Sequence, residues 1–205
     1  PPRSTLFPYT TLFRSGKLWI LGGDGAAGEL NDVWSTTNGS TWTRVTANAP
    51  WRGGPVQATT FNNRLVVLAR SNDLVRSEIW QSADGVNWER LTASPAFGGR
   101  TGAVLEVYNG QLVVAGGLDG TTYEVTNEVW TSDDGITWTR TAPGTDPHWT
   151  PRRYLASCLH DGKLWIVGGV GDDYFVWDDA WSLGAEALPG TDRKSTRLNS
   201  SHRIR

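Results

Sequence analysis

Apolar and polar positions alternate in short runs along this chain, and no run keeps a 3.6-residue apolar period over a useful length, so helices should be nearly absent. Leu18-Trp19-Ile20-Leu21, Leu65-Val66-Val67-Leu68, Leu112-Val113-Val114-Ala115 and Leu164-Trp165-Ile166-Val167 are each apolar throughout. Such short runs between turn-forming residues predict strands. The last three are preceded by strand-like runs, Gln57 to Phe61, Gly102 to Tyr108 and Tyr154 to Leu159. These join them through Asn62-Asn63, Asn109-Gly110 and Asp161-Gly162, the residue types that two-residue hairpin turns favour.

A second hairpin follows each of the first three apolar runs. Trp34 to Arg44 reads WSTTNGSTWTR, Trp80 to Arg90 reads WQSADGVNWER, and Trp130 to Arg140 reads WTSDDGITWTR. Asn-Gly or Asp-Gly between strand-like flanks is a strong short-range hairpin signal. A three-residue loop ending on Gly39, Gly85 or Gly135 sets Trp34 directly across from Trp42, Trp80 from Trp88, and Trp130 from Trp138. A two-residue loop would send the rings to opposite faces. The first geometry is expected, because it places both indoles on one buried face, where a cross-strand aromatic pair contributes roughly 0.2–1 kcal/mol over Ala–Ala.

The leading Trp of each unit stands at 34, 80, 130 and 181, in steps of 46, 50 and 51 residues. Four short strands per step of about 50 residues is the signature of a propeller blade. The predicted fold is all-β, a partial β-propeller of four-stranded antiparallel blades at about 16–46, 56–92, 101–142 and 154–183. Strand, Gly-Gly, loop, acidic-x-Trp, turn and Trp together resemble the kelch repeat, including that of the galactose-oxidase central domain. Gly22-Gly23, Gly116-Gly117 and Gly168-Gly169 match its glycine pair, and Trp42, Trp88 and Trp138 its late tryptophan. The resemblance covers almost all of 16–183, and departs from the family at Ala69-Arg70 and in a tighter hairpin. Ser82 to Trp88 is also similar to the Asp-box of sialidase-type propellers, but lacks one residue between Asp and Gly. Kelch propellers usually close with six or seven blades. The resemblance therefore implies an open arc of about 3–4 kelch-like blades, two whole and two partial, whose partners include the remaining blades of a full-length chain.

The two ends stand outside the repeat. Residues 1–15, PPRSTLFPYTTLFRS, and residues 192–202, DRKSTRLNSSH, both match translations of short-read sequencing adapters, with 203–205 as read-through. Segments 1–15 and 192–205 are accordingly set aside as adapter-derived, leaving 16–191 as a metagenomic-type fragment. The apolar leader is then no signal peptide and the basic tail no nucleic-acid arm. The ends hold seven of the 19 Lys and Arg and one of the 21 Asp and Glu, so the remaining segment carries a net charge of −8. That balance argues against nonspecific nucleic-acid binding. No apolar run approaches the ~20 residues of a membrane helix. Composition points to an extracellular or cell-surface placement. Cys158 is the single cysteine and, lying in an apolar run, is expected to be a small buried residue.

The recurring acids Asp32, Glu78, Glu128 and Asp179 precede each leading Trp by two residues, and Arg44, Arg90 and Arg140 recur in step. Recurrence in every unit points to mutual structural pairing rather than paired-carboxylate catalysis. The glycine pairs have no following helix or Lys-Ser/Thr, so they are structural and not a phosphate cradle. His148 and His160 fall on different elements, and no Cys/His spacing suits a metal. Asp172-Asp173 and Asp178-Asp179 share one loop, short of the ~6–8 oxygens of a calcium site. No cofactor, metal or catalytic residue is assigned. The linking loops carry Trp51-Arg52, Phe97 with Arg100, and Trp149 with Arg152-Arg153 in equivalent places. These residues either pin the blade junctions or meet a ligand, since aromatic faces with guanidinium forks suit sugars and carboxylates. A noncatalytic module binding a carbohydrate or protein through these loops is the leading expectation. The alternative is a fragment of a carbohydrate-active kelch enzyme, of the epimerase or oxidase class, which the fold alone does not decide.

Overall fold

A computed structural model describes residues 10–141 and 149–183 of the chain. His148 and the ends of the predicted units at 142 and 191 lie outside the described residues. No helix occurs among them, and hence none long and apolar enough to cross a membrane. The chain forms small antiparallel sheets whose strands follow one another in chain order, the build of a propeller blade. They fall into two compact units, the first two sheets in one and the last two in the other.

In the first unit, β1 (Thr10–Arg14), β2 (Lys17–Gly25), β3 (Gly28–Thr36) and β4 (Thr43–Thr46) form one four-stranded sheet. β5 (Gln57–Phe61), β6 (Arg64–Arg70), β7 (Ser77–Ser82) and β8 (Glu89–Thr92) form the second. The first sheet therefore begins at Thr10, inside the stretch set aside from the sequence, and the first blade has four strands where a partial one was expected. Pairing asks only for free backbone groups and a turn. Ser15-Gly16, both at positive φ, closes β1 onto β2 with Arg14 opposite Lys17. Asn62-Asn63 makes the same turn between β5 and β6. Arg14 then reaches across to the second sheet, donating to the carbonyls of Ala83 (2.9 Å) and Asn63.

In the second unit, β9 (Arg100–Thr101) pairs with β12 (Leu118–Asp119) as a short ribbon. β10 (Val104–Tyr108), β11 (Gln111–Ala115), β13 (Val129–Ser132) and β14 (Thr139–Arg140) form the third blade. β15 (Ala156–His160), β16 (Lys163–Val167) and β17 (Ala180–Leu183) form the fourth, with three strands among the described residues. Asn109-Gly110 and Asp161-Gly162 make the predicted hairpins, again with both turn residues at positive φ.

Each unit is held by an apolar layer between its two sheets. In the first, Trp19, Leu21 and Val33 pack with Leu65, Val67, Ala69 and Trp80, and Trp51 and Val56 from the linker join them. In the second, Val104, Val113, Ala115 and Val129 pack with Leu164, Ile166, Trp149 and Trp181. The glycine pairs make these approaches feasible. A Cβ on Gly22 would stand 2.7 Å from the Gly54 carbonyl, and one on Gly116 would meet Leu155 at 2.6 Å and Trp149 at 2.9 Å. Where Ala69-Arg70 replaces the pair, β6 runs straight on against Glu78 and Ser77.

Two expectations are corrected. The hairpin register places Trp34 opposite Arg44, Trp80 opposite Arg90, and Trp130 opposite Arg140, not opposite the second Trp. The turn is longer than three residues because side chains bridge it. Ser82 Oγ accepts the N–H groups of Asp84 and Gly85, and Asp84 Oδ1 accepts those of Val86 and Asn87. Thr36 and Asn38 do the same in the first hairpin. Trp88 consequently sits past the strand end, packed against the same apolar layer as Trp80 and edge-on to Trp51 at 4.5 Å. The second correction is Cys158, which is exposed. It lies on β15, the edge of a three-stranded sheet, on the face away from the apolar layer.

Candidate functional site

The acid two residues before each leading Trp accepts that residue's indole N–H. Trp34 donates to Asp32 (2.6 Å), Trp80 to Glu78 (2.9 Å), Trp130 to Glu128 (3.0 Å) and Trp181 to Asp179 (2.9 Å). Residues i and i+2 share a face of a strand, so the spacing alone brings carboxylate and indole together. The cross-strand Arg completes the set. Arg90 pairs with Glu78 at 3.0 Å and Arg140 with Glu128 at 3.1 Å, while the guanidinium of Arg44 lies over the ring of Trp34 at 5.9 Å. These acids are therefore structural hydrogen-bond acceptors.

The linking loops divide the seven candidate ligand residues by environment. Trp51, Phe97 and Trp149 are all buried, and their rings offer no face to a ligand. Arg100 is buried and pairs with Asp119 and Glu128 at 2.5 Å each. Arg152, three residues after Trp149 as Arg100 is after Phe97, is fully buried and grips Asp179 with both terminal nitrogens, Nη2 at 3.1 Å. It also donates to the carbonyls of Thr150 and Gly168 and lies over the rings of Trp149 and Trp177. Arg52 pairs with Glu29 at 2.5 Å. Trp51, Trp149 and Arg152 thus belong to the layers between sheets, Arg100 to ion pairs within the third blade, and Arg52 to an ion pair with Glu29.

Electrostatics agree with that division. Burial pushes the Asp179 and Asp119 carboxyls upward, but both still lie below the usual carboxylate range. Hydrogen bonds from Arg152 and Trp181 reverse the burial effect at Asp179, and amides of Thr121 and Thr122 with Arg100 do so at Asp119. Asp84 is held far down by the Asn87 amide, with the Asn87 side chain and the Val86 amide adding to it. Glu106 goes the other way: burial raises it, and the hydroxyl of Ser157, donating at 2.8 Å, offsets only part.

Arg153 is different. Its backbone is fixed to the loop of the fourth blade by reciprocal bonds with Val170, at 2.9 and 2.8 Å. Its guanidinium lies over Tyr154 at 5.2 Å and Tyr174 at 6.0 Å, and its Nε has no hydrogen-bond partner. Both tyrosines are largely exposed, at 54% and 77%. The loop tips repeat from blade to blade. Leu74, Tyr123 and Tyr174 each donate their N–H back to Ser71, Asp119 and Gly171, and each adopts positive φ, at 65°, 60° and 58°. Tyr154 does likewise at 57°. Asp172 ties two of these loops together by accepting the Val125 N–H at 3.1 Å.

Tyr123, Tyr154, Tyr174 and the neighbouring Phe175 were not singled out from the sequence. Tyrosine ordinarily signals a strand, and the positive φ that sets these residues at the tips carries no sequence mark outside Gly and Asn. Bulky aromatics inside Gly- and Asp-rich loops were the available clue. No group of three or more His, Cys, Asp or Glu converges to hold a metal among the described residues. His160 and the acids Asp172-Asp173 are exposed. No protein-family model matches the chain, and no curated protein matches it significantly.

Proposed function

We propose that this chain is a kelch-like propeller segment, flanked by adapter-derived residues, that acts as a noncatalytic binding module through its blade-connecting loops. The observation that carries the reading is the set of exposed tyrosines at positive φ: Tyr123, Tyr154 and Tyr174, at 73%, 54% and 77% exposure. A bulky side chain held in that region costs of order 1–3 kcal/mol and gains no core contact in return when it faces water. Strain of this kind gathers at ligand-binding positions. The buried junction residues supply a rigid frame, and loops on a rigid frame carry binding. The kelch-like identity rests on the three glycine pairs together with the four acid-x-Trp bonds.

The test compares the whole chain with a Tyr123→Asn, Tyr154→Asn, Tyr174→Asn variant on an array of glycans and secreted-protein peptides. Asn tolerates positive φ, so the backbone is preserved while the rings are lost. A ligand retained by the parent chain and lost at least tenfold by the variant is expected. Equal retention by both, with matching circular dichroism, overturns the reading.

A further inference from the structure

We infer that Arg153, with Tyr154 and Tyr174, forms a subsite for a saccharide bearing a single carboxylate. The inference rests on the loop-binding reading above and names its ligand chemistry. The neighbouring Arg152 is buried and neutralised by Asp179, whereas Arg153 has no ion pair among the described residues and is only partly buried. Its Nε is buried against the protein, and the linker–loop bridge to Val170 holds the backbone in place. The guanidinium is only partly buried, and its terminal nitrogens form a planar fork that matches a carboxylate. The tyrosines each turn one face to Arg153 and remain 54% and 77% exposed, leaving flat apolar surface beside the fork. A pyranose offers C–H faces to such rings and hydroxyls to the solvent around them.

The surrounding charge limits the ligand to one anionic group. Asp172, Asp173 and Asp178 are exposed in the same loop as Tyr174, where Asp172 accepts the Val125 amide and Asp173 that of Phe175. These carboxylates would repel a polyanion, including a strongly acidic peptide or a nucleic acid. One carboxylate on an otherwise neutral body fits the one guanidinium of this subsite.

Calorimetric titration of the full chain tests this with three ligands: an oligosaccharide containing one glucuronate, the same sugar with that carboxylate reduced to the alcohol, and an end-capped tripeptide whose only charge is one glutamate. The glucuronate sugar should bind at least tenfold more tightly than the other two. Arg153→Gln should abolish that preference and leave the reduced sugar unaffected, whereas Tyr174→Asn should weaken both sugars alike. Equal affinity for the two sugars, an unchanged preference in Arg153→Gln, or peptide binding as tight as the sugar's overturns the inference. In those cases the loop reading survives if Tyr174→Asn still weakens binding. If no ligand binds, the inference fails, and the array comparison of the triple-Asn variant decides the loop reading separately.

Discussion

The first and fourth blades carry almost the same octapeptide in opposite surroundings. Gly16 to Gly23 reads GKLWILGG and Gly162 to Gly169 reads GKLWIVGG. In the first blade the face bearing Trp19 and Leu21 is closed by Leu65, Val67 and Trp80 of the second sheet, and Leu21 is 0% exposed. In the fourth blade Val167, at the position of Leu21, is 43% exposed, and Trp165, at that of Trp19, is half-buried. The other face of that strand, Leu164 and Ile166, is buried against the third sheet. An identical local pattern thus specifies a two-sided strand, but burial of each side is settled by whether another sheet lies on it.

The largest test of this contrast is a matched pair of truncations. Leu21→Ala leaves a cavity between two packed sheets and should cost about 4 kcal/mol, within the usual range for a buried leucine. Val167→Ala should change stability by less than about 0.5 kcal/mol, as surface substitutions do. Urea denaturation followed by tryptophan fluorescence measures both. Similar losses at the two positions would mean that the fourth blade's open face is covered in solution.

What does hold the fourth blade is more polar. Asp179→Asn breaks the buried pair with Arg152 while keeping the shape, and should cost about 3 kcal/mol, because a buried guanidinium is left without its counter-charge. The pH dependence has a definite sign. The Asp179 carboxyl lies below its usual value when folded, despite the upward push of burial, because Arg152 and Trp181 donate to it. Its contribution is therefore present above the unfolded value of about 3.9 and is lost as pH falls through the folded value. The gap between parent and Asp179→Asn should narrow on acidification through that window in urea titrations at stepped pH. The counterpart Arg52→Ala, at a partly exposed pair with Glu29, should cost less than about 1 kcal/mol.

Much of this architecture was legible in the sequence, and the parts that were not have physical reasons. The strand runs, the Asn-Asn, Asn-Gly and Asp-Gly turns and the 46- to 51-residue spacing are local or periodic signals. Each maps onto an observed strand pair. The recurring acids and arginines were expected to pair, as Glu78 with Arg90 and Glu128 with Arg140 do, but the indole N–H as each acid's other partner was not foreseen. The Trp–Trp register was not recoverable from counting residues. Ser82 and Asp84 spend their oxygens on four backbone amides, lengthening the turn and moving Arg90 opposite Trp80. The exposure of Cys158 was also hidden, because an apolar run looks the same whether one face or both is covered. In the linking loops the sequence located the aromatics and arginines. It did not separate Arg152, taken up by Asp179, from Arg153, whose guanidinium lies over Tyr154 and Tyr174.

A smaller effect separates close approach from backbone strain. Gly85 in the second hairpin lies at φ 77°, and a Cβ there would fall 2.5 Å from the Trp19 ring of the first blade. Gly162, the first residue of the fourth blade's octapeptide, lies at φ 66° with nothing within 4 Å. Gly85→Ala should cost about 2 kcal/mol, from positive φ plus displacement of a buried indole, and Gly162→Ala about 1 kcal/mol, from positive φ alone. Chemical denaturation reads both. Trp19 fluorescence should shift only in the first variant, where the ring itself must move.

The least perturbing probe uses the one thiol. Cys158 lies opposite Trp165 on β15, and Leu12 lies opposite Trp19 on β1, so the two positions are counterparts in their blades. Cys158 is exposed, whereas Leu12 packs partly buried against the layer between the first two sheets. Cys158 should react with an aromatic disulfide reagent under native conditions at close to the rate of a free thiol, and Cys158→Ser should leave stability within about 0.5 kcal/mol. In that background Leu12→Cys should react at least tenfold more slowly until urea opens the first unit. Equal rates at the two sites would show that the second sheet does not cover β1, and that the first blade's edge is as open as the fourth's.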